Sequence, residues 1–270
     1  MNFYCKLNNA WRESNSLVCV GLDPDLDKIP QHLMSRPHPV FDFNKQIIDA
    51  TADLVCAYKL QFAYYAGYAI EDQLTLTIKH LAGNYPYLPI ILDAKRNDIG
   101  ATAEMYAKEA FDRYSADAVT VNPYLGGDAL LPFLKRKEKG TIILCRTSNP
   151  GARDLQHLVV AGQPLYQVVA KLAVTDWNEN KNVALVVGAT YPRELGEVRK
   201  IVGSMPLLVP GIGAQKGDLE GAVKNGLADN GAGMIINSSR GIIYAGDGPD
   251  FAQAARKATE WLRDAINQYR

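Results

Sequence analysis

The side chains best equipped for chemistry lie together in Asp93-Ala94-Lys95-Arg96-Asn97-Asp98. The apolar run Pro89–Ala94 leads straight into them. Asp93 and Lys95 are two apart, a spacing that puts both on one side of a strand. Asp98 falls just beyond, in the turn before the next helix. A lysine bracketed by carboxylates stays protonated, because nearby negative charge favours the cation. Such an ammonium can stabilise a developing anion and then deliver a proton to it. On a surface loop the same D-x-K-x-x-D spacing is a solvated charge cluster. Its position directly after a buried run favours the chemical reading.

Other apolar runs end in matching polar groups. Asp23 follows Val18–Leu22, Lys59 ends the second run, and Ser148 follows the fifth in Arg146-Thr147-Ser148-Asn149. Near the C-terminus, one run leads into Pro210-Gly211-Ile212-Gly213-Ala214-Gln215 and the next into Asn237-Ser238-Ser239-Arg240-Gly241. Glycines let backbone N–H groups approach an anion closely. The Arg240 guanidinium offers a planar fork that fits phosphate oxygens. This is not a dinucleotide fingerprint, because Lys216 interrupts the G-x-G-x-x-G form before Gly217. His32, His38, His80 and His157 are scattered, and none stands at ligand spacing from a carboxylate. Surface histidines and no metal site are therefore expected. No G-x-S-x-G elbow occurs. The residues offer acid–base and electrostatic chemistry on a phosphorylated ligand, without an evident cofactor.

These groups need elements to position them. Short apolar, β-branched runs recur along the chain: Leu17–Leu22, Val55–Leu60, Pro89–Ala94, Ala118–Asn122, Thr141–Cys145, Val183–Gly188, Pro206–Pro210 and Met234–Asn237. Their near-continuous apolarity suits parallel strands buried on both faces. Helical patterns lie between them. Thr102 can cap a helix carrying Met105, Ala110 and Phe111. Leu165, Val168, Val169 and Leu172 share a face behind Pro164. Phe251, Ala254, Ala255, Ala258, Leu262 and Ile266 share another, with Pro249 fitting the first helical position. Eight strand–helix units imply a parallel α/β fold. An open doubly wound sheet competes, but eight units in 270 residues match a closed (β/α)₈ TIM barrel. No linker or low-complexity stretch divides the chain, so residues 1–270 read as a single barrel domain. Two connections are long, Pro24–Asn44 and Asn149–Gln163. Both follow C-terminal strand ends, where barrel active sites lie. The polar groups above converge on one pocket there, and the loops after strands seven and eight commonly hold phosphate.

Composition narrows the partners. Lys+Arg and Asp+Glu number 29 each, for a formal net charge of zero. That removes the footprint of a nucleic-acid binder or a polybasic membrane protein. The cysteines, Cys5, Cys19, Cys56 and Cys145, form no C-x-x-C pair, and three of them lie in the apolar runs as buried free thiols. Met1–Ser16 lacks the apolar core of a signal peptide, and no run approaches the roughly 20 residues of a membrane helix. A soluble cytoplasmic protein is expected.

The stretch Asp93–Thr102 resembles the D-x-K-x-x-D-I-G-x-T signature of the orotidine 5′-phosphate decarboxylase family, and its Arg-Asn interior resembles the longer bacterial subgroup. Leu22-Asp23-Pro24, Lys59, Thr147-Ser148, Pro210–Gln215 and Arg240 follow in the order this resemblance requires. It implies decarboxylation of orotidine 5′-phosphate to UMP, the last step of de novo pyrimidine synthesis, with no metal or organic cofactor. It assigns Lys95 as proton donor to C6, Asp93 to the side of the substrate carboxylate, and Lys59 as the link from Asp93 to the ribose. Asp23 would contact ribose hydroxyls and Ser148 the pyrimidine. Pro210, Gly211, Gly213, Gln215 and Arg240 would hold phosphate. The resemblance also implies a homodimer in which Asp98 and Thr102 reach into the partner's site. Two other readings remain at this stage: a Mg²⁺-dependent sugar-phosphate lyase or decarboxylase sharing D-x-K-x-x-D, and a non-catalytic phosphate-ligand barrel.

Overall fold

A computed structural model describes residues 1–212 and 218–270. Eight parallel strands form its centre: β1 (Val18–Leu22), β2 (Ala57–Gln61), β3 (Ile90–Arg96), β4 (Ala118–Val121), β5 (Gly140–Arg146), β6 (Val183–Val187), β7 (Leu207–Pro210) and β8 (Met234–Ser238). Each pairs with the next in sequence, and β8 pairs with β1, so the sheet closes into a (β/α)₈ barrel. Closure leaves no strand edge exposed. The strands coincide with the eight apolar runs to within two residues at each end. They are mostly apolar because one face fills the barrel and the other packs beneath helices; β1 and β6 are buried at every position.

The helices are α1 (Phe3–Glu13), α2 (Pro39–Thr51), α3 (Phe62–Gly67), α4 (Glu71–Asn84), α5 (Gly100–Lys108), α6 (Gly127–Leu134), α7 (Arg153–Gln156), α8 (Leu165–Thr175), α9 (Pro192–Val202), α10 (Leu219–Gly226), α11 (Arg240–Ile243) and α12 (Phe251–Asn267). Helix α1 lies across the N-terminal end of the barrel. Phe3 N–H donates to Glu138 just before β5, and the Tyr4 hydroxyl donates to the carbonyl of Val183 at the start of β6. Its buried Phe3, Leu7, Ala10 and Trp11 plug that end, leaving the C-terminal end for a site.

The structure revises several local expectations. The connection after β1 ends at residue 38 rather than Asn44, because Pro39 sets the first helical turn of α2. Residues 149–163 carry a 3₁₀ turn, α7 and a short antiparallel ladder between Val159–Val160 and Gln163–Pro164. Helix α12 starts at Phe251 with Asp250 as its N-cap, two residues after Pro249. Its core stripe runs through Phe251, Ala252, Ala255, Thr259, Leu262 and Ile266, so Ala254 and Ala258 sit at the flank. In α8 the buried side chains are Tyr166, Ala170 and Ala173, with Leu165, Val168, Val169 and Leu172 only half-buried. Small side chains there let the helix lie close to the barrel. Thr102 is inside α5 and exposed, and Ile99 is the N-cap. Ala103, Ala107, Ala110 and Phe111 face the barrel, which turns Met105 outward to 61 % exposure.

Candidate active site

Lys59 projects from the middle of β2, two residues before the strand's end, and only 3 % of it is exposed. Its Nζ stands 3.3 Å from Asp23 Oδ1 and 3.1 Å from Asp93 Oδ2. Burial works against the ammonium, but the charges of Asp23 and Asp93 outweigh it and raise its pKa above the ordinary lysine value. Asp23 lies one residue beyond β1. Its segment is tied down from both sides: Tyr65 Oη donates to the Leu22 carbonyl at 3.0 Å, and Tyr244 Oη accepts from Asp25 N–H at 2.6 Å.

Asp93 is the hub. Its Oδ1 accepts from Lys95 Nζ at 2.7 Å and from Thr120 Oγ1 at 2.8 Å, and its Oδ2 accepts from Gln61 Nε2 at 3.2 Å. Burial alone would raise its pKa; the Lys59 and Lys95 ammoniums and these hydrogen bonds reverse that and hold it well below the usual carboxylate range. Asp93 therefore stays charged in a place where an unpaired carboxylate would be costly.

Lys95 meets Asp93, but not through simple strand alternation. The β3–β4 register shifts between Leu92 and Arg96, and Lys95 takes a left-handed backbone with φ +47°. A non-glycine residue in that region costs on the order of 1–3 kcal/mol. Thr120 holds the distortion in place, since its hydroxyl accepts from Lys95 N–H at 3.0 Å while donating to Asp93. Arg96 leaves the cluster: its guanidinium grips Glu109 through two hydrogen bonds, 2.8 and 2.9 Å, between the rings of Phe62 and Tyr106. It anchors the end of β3 on the outside.

These groups open into a cavity of about 710 Å³ at the C-terminal end of the barrel. Asp23, Lys59, Asp93 and Lys95 line one side, and Ser148, Pro210, Gly211 and Arg240 line the other. Gly211 has φ +103°, a conformation that only glycine adopts without strain, at the turn out of β7. Gly213 and Gln215 lie outside the described residues. Asp98 and Thr102 do not line the cavity of their own chain; Asp98 Oδ1 accepts from Ile99 N–H at 2.8 Å, and Thr102 points to solvent.

Sequence reasoning missed some partners of the site. Gln61 and Thr120 complete the shell of Asp93. Gln61 is two residues from Lys59, on the same face of β2, and Thr120 is the one hydroxyl in the run Ala118–Asn122. Asn237 and Ser239 also line the cavity, and Asn237 Oδ1 and Ser239 Oγ are buried without a hydrogen-bond partner among the described residues. The histidines differ from expectation too. His80 on α4 contacts Asp49 on α2 at 2.6 Å, and His38 and His157 lie 3.7 and 3.5 Å from Asp72 and Glu194. These pairings cross between elements, so sequence spacing hides them. Among the described residues no cluster of three or more His, Cys, Asp or Glu could hold a metal, and no helix is long and apolar enough to cross a membrane.

Residues 16–258 match the family described as orotidine 5′-phosphate decarboxylase / HUMPS. An orotidine 5′-phosphate decarboxylase of Azoarcus sp. (strain BH72) is 57 % identical over 270 residues, covering 100 % of both chains. The solved OMP decarboxylase of Leishmania donovani is 37 % identical, with a TM-score of 0.87 over 100 % of this chain and 98 % of that one. The UMP synthase of the same organism is 39 % identical with a TM-score of 0.89; the chain covers 56 % of that longer protein.

Proposed function

The chain belongs to the orotidine 5′-phosphate decarboxylase family and decarboxylates that nucleotide in pyrimidine biosynthesis; from this premise we propose how its own residues carry the reaction. The C6–carboxylate bond breaks, CO₂ leaves, and the electron pair stays on C6. The pyrimidine ring has no sink to delocalise it. Lys95 stabilises the developing carbanion with its fixed ammonium, then transfers a proton to C6 and becomes a neutral amine. The observation that carries this reading is the 2.7 Å contact between Lys95 Nζ and the buried Asp93 carboxylate.

Asp93 does two things in this scheme. It aims the Lys95 ammonium through their 2.7 Å contact, and it faces the substrate carboxylate. Repulsion between the two carboxylates would be relieved as CO₂ departs. Lys59 links Asp93 to Asp23 and the ribose hydroxyls. Ser148 contacts the pyrimidine. Arg240 and the Pro210–Gly211 turn, with Gly213 and Gln215, hold the phosphate. Binding energy from that remote group is available to fix the ring against Lys95.

The scheme uses no metal or organic cofactor. Lys59 already supplies a positive charge between Asp23 and Asp93. The reading includes a single barrel domain acting in the cytoplasm; unpaired Cys19, Cys56 and Cys145 support a reducing compartment. It also includes a homodimer in which Asp98 and Thr102 complete the partner's pocket. Two observations support this. Both residues lie away from their own chain's cavity, and apolar Ile99 and Met105 beside them are exposed.

The test follows the pyrimidine absorbance change with orotidine 5′-phosphate, with and without EDTA. Full activity in chelator is expected. Loss in EDTA with recovery on Mg²⁺ would favour the metal-dependent reading, and binding without turnover would favour a phosphate-ligand barrel.

A further inference from the structure

Ser148 stands two residues beyond β5 on an irregular turn, yet a base-recognition contact needs a fixed hydroxyl. Three elements hold that turn. From α7, Gln156 Oε1 accepts from Thr147 N–H at 2.9 Å, and Gln156 Nε2 donates to Thr147 Oγ1 at 2.8 Å. From β5, the fully buried Arg146 donates to the Thr147 carbonyl, pairs with Glu194 at the start of α9 and stacks 4.1 Å over the ring of Tyr191. From the end of β6, Gly188 presses on the turn from beneath: its N–H donates to the Arg146 carbonyl at 2.7 Å, and a Cβ there would lie 2.8 Å from Ser148 Cα. Only a residue without a side chain admits that approach. The Ser148 hydroxyl itself makes no hydrogen bond to the described residues, so it is left to the cavity.

We propose that Gln156, backed by Arg146 and Gly188, is a positioning residue that fixes the Thr147–Ser148 turn and thereby sets recognition of the pyrimidine rather than of the ribose phosphate. This rests on the assignment of Ser148 to the pyrimidine. The Gln156 clamp is the part open to substitution. Arg146 is fully buried, and its removal would strand Glu194. Gln156 is only half-buried at the cavity wall, and its side-chain hydrogen bonds to the described residues go to Thr147.

The experiment compares Gln156→Ala, Ser148→Ala and the double variant. It reads kcat and KM for orotidine 5′-phosphate, UMP affinity, inhibition by ribose 5-phosphate, and thermal melting. Gln156→Ala is expected to lower kcat/KM and UMP affinity about 10-fold, with ribose 5-phosphate inhibition held within about twofold. Added to Ser148→Ala, it should cost little more, because both act through one contact. Equal weakening of UMP and ribose 5-phosphate, multiplying losses in the double variant, or an unaffected Gln156→Ala enzyme would each overturn the proposal. If Ser148→Ala alone keeps full activity and UMP affinity, the Ser148 assignment itself fails, and the clamp loses its role with it. Should Gln156→Ala not fold, Thr147→Val, which removes one of the two Gln156 bonds, gives the same readouts with a smaller expected loss.

Discussion

Replacing Lys59 with methionine keeps most of the packing and removes the charge. Its Nζ lies 3.3 Å from Asp23 and 3.1 Å from Asp93. At an effective dielectric of about 20, each such contact is worth about 5 kcal/mol of gross attraction. The substitution leaves Asp93, 6 % exposed, with Lys95 as its one ion-pair partner among the described residues. Stranding a buried charge costs about 3–5 kcal/mol, and Lys95 keeps the loss near the lower end, about 3 kcal/mol. At about 2–4 °C per kcal/mol for a domain of this size, Tm should fall by about 6–12 °C. Asp93→Asn in the same background removes the stranded charge, so the double variant should regain about 1–2 kcal/mol. The pH dependence follows from the depressed pKa of Asp93. Its stabilisation is present above the unfolded value, near 4, and is lost as pH falls towards the lower folded value. Without Lys59 the folded value moves up and less remains to lose. The gap between the parent protein and Lys59→Met should therefore be widest near neutral pH and narrow below about pH 5. Melting curves at several pH values, followed by circular dichroism, decide it. A double variant less stable than Lys59→Met, or a gap that widens in acid, refutes the reasoning.

Three further outcomes concern the proposed roles. Lys95→Ala should cut turnover by at least about 10³-fold while UMP still binds in titration calorimetry; near-normal turnover would remove it as proton donor. Arg240→Ala should raise KM about 10- to 100-fold with a smaller change in kcat, as expected for losing charged hydrogen bonds to phosphate. Mixing Lys95→Ala with Asp98→Ala subunits should restore about a quarter of the parent activity, because half of randomly mixed dimers are hybrids and each hybrid has one intact pocket. No recovery after proven subunit exchange would end the shared-site reading.

The barrel was legible because strands buried on both faces leave long apolar runs, and the polar exceptions stand within those runs near their C-terminal ends or in the loops just beyond. Asp23, Lys59, Asp93, Ser148 and Arg240 stood out for that reason. Gln61 and Thr120 did not, although both bond Asp93. Their role depends on cross-strand register, and a slip of one residue would turn either to the opposite face. Arg96 lies within the charged stretch without a role read for it, and it serves Glu109 outside the barrel. The boundaries of α2 and α12 and the buried face of α8 were misplaced because caps and close helix–barrel packing depend on neighbours that local periodicity does not report. Asp98 and Thr102 stayed apart from the pocket, as they must if they serve another subunit.

The left-handed backbone at Lys95 has a use beyond this enzyme's chemistry. Six non-glycine residues of the described chain have positive φ: Asn15, Ala69, Lys95, Ser115, Ala161 and Lys181. Of these, Lys95 alone lines the cavity. Sequences chosen for folding alone would favour glycine or asparagine at such a position. Lys181 shares the torsion on the exposed surface, so what sets Lys95 apart is the pairing of a left-handed backbone, held by Thr120, with a cavity-lining ammonium, held by Asp93. It could be sought in barrels whose sequences have drifted too far for any signature to be recognised.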